Sequence, residues 1–352
     1  MAIALKNLSG QVKSRLGNYP DIGQVFYMVD SNYRTAAQGW SNAAGTGPLD
    51  LFSQYGDSAE TYVYYAPGTQ PSGITYATDA AAIQAAVNAM TDYRGDTLYF
   101  TPGNYSIATA VDVNVPYGRW LGKAYVSPRY GCSPCVRNTT ITCAVTNALT
   151  FDTANQADGF EMAYLRFVPI TADESVLISA AQVNLHWHDF MVDFHGVTEN
   201  AATAFTNITA DGAGNFSLFD HFTWLVDETM GPMFDIAGDL RQTSWTNFRC
   251  MVDEAGAAYV TPLLDIATGG DASDALEVGP GIIVCGAGTA STTFTQLIEA
   301  VALTGANAVG VHGVINVGAG PAATALQGGT AADFSFALNY MPTTGGTLFT
   351  TS

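Results

Sequence analysis

An aromatic residue recurs three positions ahead of a phenylalanine in Tyr164/Phe167, Trp187/Phe190, Phe219/Phe222 and Trp245/Phe248, at intervals of 23, 32 and 26 residues. In three of these units the chain then reaches Val-Asp: Val192-Asp193, Val226-Asp227 and Val252-Asp253. Irregular repeats of this length, each made of short strand-like runs broken by Gly, Asn, Asp and Thr, predict a solenoid whose coils stack on their neighbours. A sandwich also uses many short strands but has no reason to repeat a motif at this spacing.

Upstream of the repeats, Asp79–Met90 (DAAAIQAAVNAM) predicts the one clear helix. Asp79 is a suitable N-cap, alanine supplies propensity, and Ile83, Val87 and Met90 share a face. A strand is expected at Thr97–Thr101, then a Pro102-Gly103 turn and renewed extended structure from Tyr105. The first 70 or so residues are rich in Gly, Tyr, Ser and Asn. They show one helix-like stretch near Leu5–Leu16 and strand-like runs at Gln24–Val29 and Thr61–Tyr65.

Asp79 through Val87, followed by Gly95-Asp-Thr-Leu-Tyr-Phe-Thr-Pro-Gly-Asn-Tyr105, resembles the entry motif of pectate-lyase-like parallel β-helices, most closely the branch found in phage tailspikes and virion proteins. The resemblance implies an all-β, right-handed, single-stranded parallel β-helix with a short N-terminal capping helix and an irregular N-terminal segment. In that family the helix plugs the open end of the solenoid, and Pro-Gly makes a corner for which Gly accepts positive φ. The division expected is 1–72 as anchoring or capping segment, 73–300 as β-helix and 301–352 as a Gly/Ala/Thr-rich C-terminal β segment. The resemblance further implies a homotrimer and a place in a phage particle, among other capsid or tail proteins.

Charge narrows the function. Only 12% of residues are charged, and 12 Lys+Arg face 31 Asp+Glu for a net charge of −19. Nucleic acid and anionic membranes are thereby disfavoured as partners. Between residues 150 and 300 the basic side chains are Arg166, Arg241 and Arg249, too few to serve a lyase of acidic polysaccharide. Met1–Gly17 has no apolar signal core and no window reads as a transmembrane helix, so maturation in the host cytoplasm and residence in the virion are expected.

If the Val-Asp registers match, Asp193, Asp227 and Asp253 fall in one column, with Glu228 and Glu254 beside two of them. These five, with Asp220, are the candidate catalytic residues. A pair about 5–9 Å apart would suit glycoside cleavage of a host surface polysaccharide. Adjacent carboxylates also suit Ca²⁺, and an Asp that ends a strand suits plain turn hydrogen bonding. His186 and His188 point to one side of a strand, a spacing that zinc uses when a third ligand is present. Cys132 and Cys135 form a Cys-x-x-Cys without the βαβ context of a redox motif. No cofactor or metal is expected. The leading expectation is a structural virion protein, capsid decoration or short tailspike; the alternatives are a glycan-depolymerising tailspike and a non-catalytic binder of host glycan.

Overall fold

The computed structural model describes residues 26–29, 62–65, 68–69, 75–90, 92–93, 95–100, 103–122, 139–170, 174–194, 204–226, 231–252, 258–259, 263–266, 275–285, 293–294, 296–300, 309–317, 324–327, 334–337 and 349–350. The expected helix at Leu5–Leu16 lies outside them, as do Cys132 and Cys135.

Among the described residues, strands dominate and fall into three large sheets of eleven, nine and eight strands, every pairing in them parallel. The chain visits the sheets in rotation. Val176–Ile178 lies in the nine-stranded sheet, His186–His188 in the eleven-stranded sheet and Met191–Asp193 in the eight-stranded sheet. Thr206–Ile208 then returns to the nine-stranded sheet and pairs in register with Val176–Ile178. Each circuit therefore lays its strands beside those of the circuit before, at the usual strand spacing of about 4.8 Å. Strands at Phe26–Val29 and Tyr62–Tyr65 join the eleven-stranded sheet at one end, and Thr324–Gln327 and Phe349–Thr350 join the nine-stranded sheet at the other. A small antiparallel pair, Gly68–Thr69 with Thr75–Tyr76, stands apart.

Strands this short place few side chains inside, so those positions are large. In the eleven-stranded sheet the central residues Leu98, Trp120, Met162, Trp187, Phe219, Trp245, Val278 and Val311 form one buried column. In four neighbouring strands of the nine-stranded sheet, Val176–Ile178, Thr206–Ile208, Phe234–Ile236 and Leu264–Ile266, the outer two of three positions are buried and the middle one is partly exposed. At the corner between the eleven- and eight-stranded sheets, Phe190, Phe222 and Phe248 stack with ring centroids 5.3 and 5.7 Å apart. All of these belong to one continuous core.

The corners are sharpened by left-handed residues. Tyr117, Gly159, Asn184, Phe216, Gln242 and Ala275 precede strands of the eleven-stranded sheet, and Tyr164, Asp189, His221 and Asn247 follow them, all at φ between 48° and 67°. Glycine is required at Gly159, where a Cβ would come within 2.6 Å of the Tyr117 ring. The other positions hold side chains in a conformation that costs about 1 kcal/mol or more each and is least unfavourable for Asn, Asp and His.

The helix α1 runs Asp79–Ala89 and buries Ala80, Ala82, Ile83, Ala86 and Val87 in the same core. Its N-cap is Thr78 rather than Asp79: the Thr78 Oγ1 accepts the Ala81 N–H at 3.1 Å. Asp79 is thereby freed for another task, and its carboxylate accepts the backbone N–H of Ser106 at 2.9 Å. Ser106 belongs to Gly103–Ile107, the edge strand of the eight-stranded sheet. Gln84 does the same for the nine-stranded sheet. Its Oε1 accepts the Asp112 N–H at 2.7 Å and its Nε2 donates to the Asp112 carbonyl at 3.3 Å, on the edge strand Val111–Asp112. Two side chains of α1 thus satisfy backbone groups that a sheet edge leaves open. Gly103 opens its strand at φ +159°, positive as expected of the Pro-Gly corner but extended rather than left-handed.

One repeat is offset, and one register expectation is corrected. Tyr164 is exposed at a corner, and Met162 and Leu165 take the inward places of that circuit. A two-residue slip preserves strand alternation, so the aromatic spacing alone did not reveal it. Likewise Asp193 pairs with Leu225, and Val226 pairs with Val252. Asp193 ends a three-residue strand, whereas Thr223–Val226 and Phe248–Val252 run on, so Asp193 does not share a column with Asp227.

Candidate functional site

Either side of the buried column of the eleven-stranded sheet, the flanking residues face outward. Arg119, Glu161, His186, Leu218 and Ser244 make one row across successive strands. Leu121, Ala163, His188, Asp220 and Thr246 make the second, and the left-handed corner residues Tyr164, Asp189, His221 and Asn247 make a third. Period-two alternation brings ionisable groups from four circuits onto one face.

The groups are coupled. Arg119 Nε donates to Glu161 Oε2 at 2.6 Å. The other Glu161 oxygen lies 3.3 Å from His188 Nε2, and His188 Nδ1 lies 2.9 Å from Asp189 Oδ2. His188 thus has a carboxylate at each ring nitrogen, a setting for an imidazolium. The hydrogen bond to Glu161, with that to Asp189 behind it, outweighs burial and raises the His188 pKa above the ordinary histidine value. In return His188, helped by Arg119, draws the Glu161 pKa down to about 2. His186 stands 4.4 Å from His188, ring centroid to ring centroid, at 32°. Burial, and then the charge of His188, lower its pKa.

One circuit on, Asp220 accepts from Thr246 Oγ1 at 2.6 Å and Asn247 Nδ2 at 2.8 Å, and pairs with His221 Nδ1. Burial alone would raise the Asp220 pKa, but these three bonds together hold it below the usual carboxylate range. The His221 ring is largely exposed, with Nε2 left for solvent or ligand. Tyr99 and Tyr164 flank the face as exposed aromatics, the Tyr164 ring lying edge-on to His188 at 5.8 Å.

The sequence candidates are distributed differently. Asp193 is on the eight-stranded sheet, buried, with Oδ2 accepting Arg166 Nε at 3.0 Å and also pairing with Nη2. Asp227, Glu228, Asp253 and Glu254 lie outside the described residues, as does His195. Asp220, His186 and His188 are brought together on the face above. Cys143 is buried, and burial pushes its thiol up to about 12, which makes it inert as a nucleophile. Among the described residues no group of three His, Cys, Asp or Glu is placed to hold a metal ion. Sequence reasoning missed Arg119, Glu161, Asp189, His221, Thr246 and Asn247. For all of these but Arg119 the signal is the four-residue unit of a large apolar residue between two outward ones and a corner: EMAY, HWHD, LFDH and SWTN.

Comparison with known proteins found no matching family model and no matching curated protein. One similar solved structure is ORF18 of Geobacillus virus E2, at 13% identity and a TM-score of 0.34, covering 74% of this chain. The chain spans 58% of that protein's length. Among the described residues no helix is long and apolar enough to cross a membrane.

Proposed function

We propose that this protein is a structural component of a tailed-phage particle, a right-handed parallel β-helix that assembles as a trimer and decorates the capsid or forms a short tailspike. The observation that carries the reading is the entry motif. Its Asp79 and Gln84 join α1 to the edge strands of two sheets, a physical role that accounts for an acid and an amide at those places in the motif. The rotation of the chain through three parallel sheets around one core supports the β-helix. A structural role is favoured because the carboxylates Asp193, Glu161 and Asp220 are each held by neighbouring side chains of the protein itself. Gold-labelled antibody against the purified chain, applied to particles from the source lysate and imaged by electron microscopy, tests this. Label on heads supports decoration, label on tails supports a tailspike, and particles without label overturn the proposal.

A second reading is binding of a neutral host glycan on the outward face of the eleven-stranded sheet, favoured by Tyr99 and Tyr164 beside a row of hydrogen-bonding groups. Glycan-array signal that falls with Tyr164→Ala supports it, and an array without signal removes it. Depolymerisation by a pair drawn from Asp227, Glu228, Asp253 and Glu254 is tested by Asp227→Asn and Asp253→Asn, whose unchanged cleavage of host polysaccharide would end that assignment.

A further inference from the structure

We propose that His186 and His188 form a single-proton latch that fastens three consecutive circuits when one of the two rings is charged and loosens them when neither or both are. The latch goes beyond the function proposed above and does not depend on it. Its geometry is a chain of contacts across the sheet. Arg119 on Arg119–Leu121 holds Glu161 on Glu161–Ala163, and Glu161 holds His188 on His186–His188. Asp189, at the corner just after that strand, closes the other side of the His188 ring. These three strands are immediate neighbours, so the chain of charges runs parallel to the backbone ladder and adds to it.

His186 sets the limit. It is two residues before His188 on the same face, with the rings 4.4 Å apart, and among the described residues its ring makes no hydrogen bond. The ionisable groups facing the pair are Glu161, Asp189 and Asp220, with Arg119 bound to Glu161 and the Tyr164 ring edge-on to His188. Both histidine nitrogens that meet carboxylates belong to His188, so the first proton goes there. A second proton on His186 sets two like charges face to face without a carboxylate of its own in hydrogen-bond contact.

The two histidines work in opposite senses on stability. The folded pKa of His188 is raised, so its contribution is full below the unfolded value near 6.5 and is lost as pH rises through the folded value. The folded pKa of His186 is lowered, so it begins to oppose folding as pH falls below 6.5, with the full effect below its folded value. Together they give a maximum near pH 6.5 with a loss on each side.

The test is hydrogen exchange of the full chain followed by mass spectrometry from pH 5 to pH 8, each rate corrected for the intrinsic pH dependence. Amides of 161–163 and 186–188 are expected to reach maximal protection near pH 6.5 and to lose about fivefold or more at either end. His186→Phe, which keeps a stacked ring, should abolish the acid loss, and His188→Phe the alkaline one. Flat protection in the wild type, or an acid loss that persists in His186→Phe, overturns the latch. Should either variant fail to fold, the ring-proton NMR titration of the wild type decides: midpoints separated to either side of 6.5 support the latch, and coincident midpoints overturn it.

Discussion

Replacing Phe222 by alanine probes the ladder on which the whole stack depends. The ring is buried and lies between Phe190, centroid 5.3 Å away at 23°, and Phe248, 5.7 Å away at 20°, with Phe234 edge-on at 6.3 Å. Phe→Ala in a core costs about 3–5 kcal/mol, the range reflecting how far the surroundings collapse. Here collapse is resisted, because Phe190 and Phe248 are fixed by strands on separate circuits whose spacing is set by backbone hydrogen bonds. The expectation is therefore the upper part, about 4–5 kcal/mol. Phe222→Leu keeps most of the apolar volume and loses the three aromatic pairs, for about 1–3 kcal/mol. Phe216→Ala, at a corner where the ring is 49% exposed, should stay within about 0.5 kcal/mol. Urea midpoints of the three variants, with unchanged m, give the comparison. A loss at Phe222→Ala below about 1.5 kcal/mol, or no larger than at Phe216→Ala, would refute the stacked-ring account of the core.

Further outcomes are expected elsewhere. Gln84→Ala removes two bonds to an edge strand and should cost about 1–2 kcal/mol. It should also promote end-to-end association visible as higher-mass species in light scattering. Arg166→Met leaves the buried Asp193 carboxylate without this partner and should cost about 3–5 kcal/mol by urea unfolding, much of it restored in Arg166→Met/Asp193→Leu. Because the Glu161 pKa is depressed to about 2, its contribution is present above the unfolded value near 4.5 and is lost as pH falls through 2, so Glu161→Gln should flatten thermal stability across that window. Cys143 should resist alkylation at pH 8 in the folded chain and react on unfolding, as mass spectrometry would report.

The helix was legible because composition and periodicity agree, and its edge-capping acid and amide fall in the motif that carries the family resemblance. The rotation through three sheets was half legible. Trp187, Phe219 and Trp245 mark one buried column, but the circuit at Met162 uses a different apolar residue, and the nearest aromatic, Tyr164, is turned outward. Alternation has period two, so any even slip leaves the local pattern intact. The ionic face was harder still. Glu161, His188 and Asp220 are 27 and 32 residues apart in sequence, and the length of each circuit decides that they meet. Those lengths vary with the corners and connections, which carry no period of their own.

An experimental density map of the purified full chain tests the central claim most directly. The account predicts three subunits, each with three parallel sheets, circuits stacked about 4.8 Å apart and Trp187, Phe219 and Trp245 in one interior column. A map in which these residues lie in unconnected strands, or in which antiparallel sheets pack as a sandwich, would contradict it.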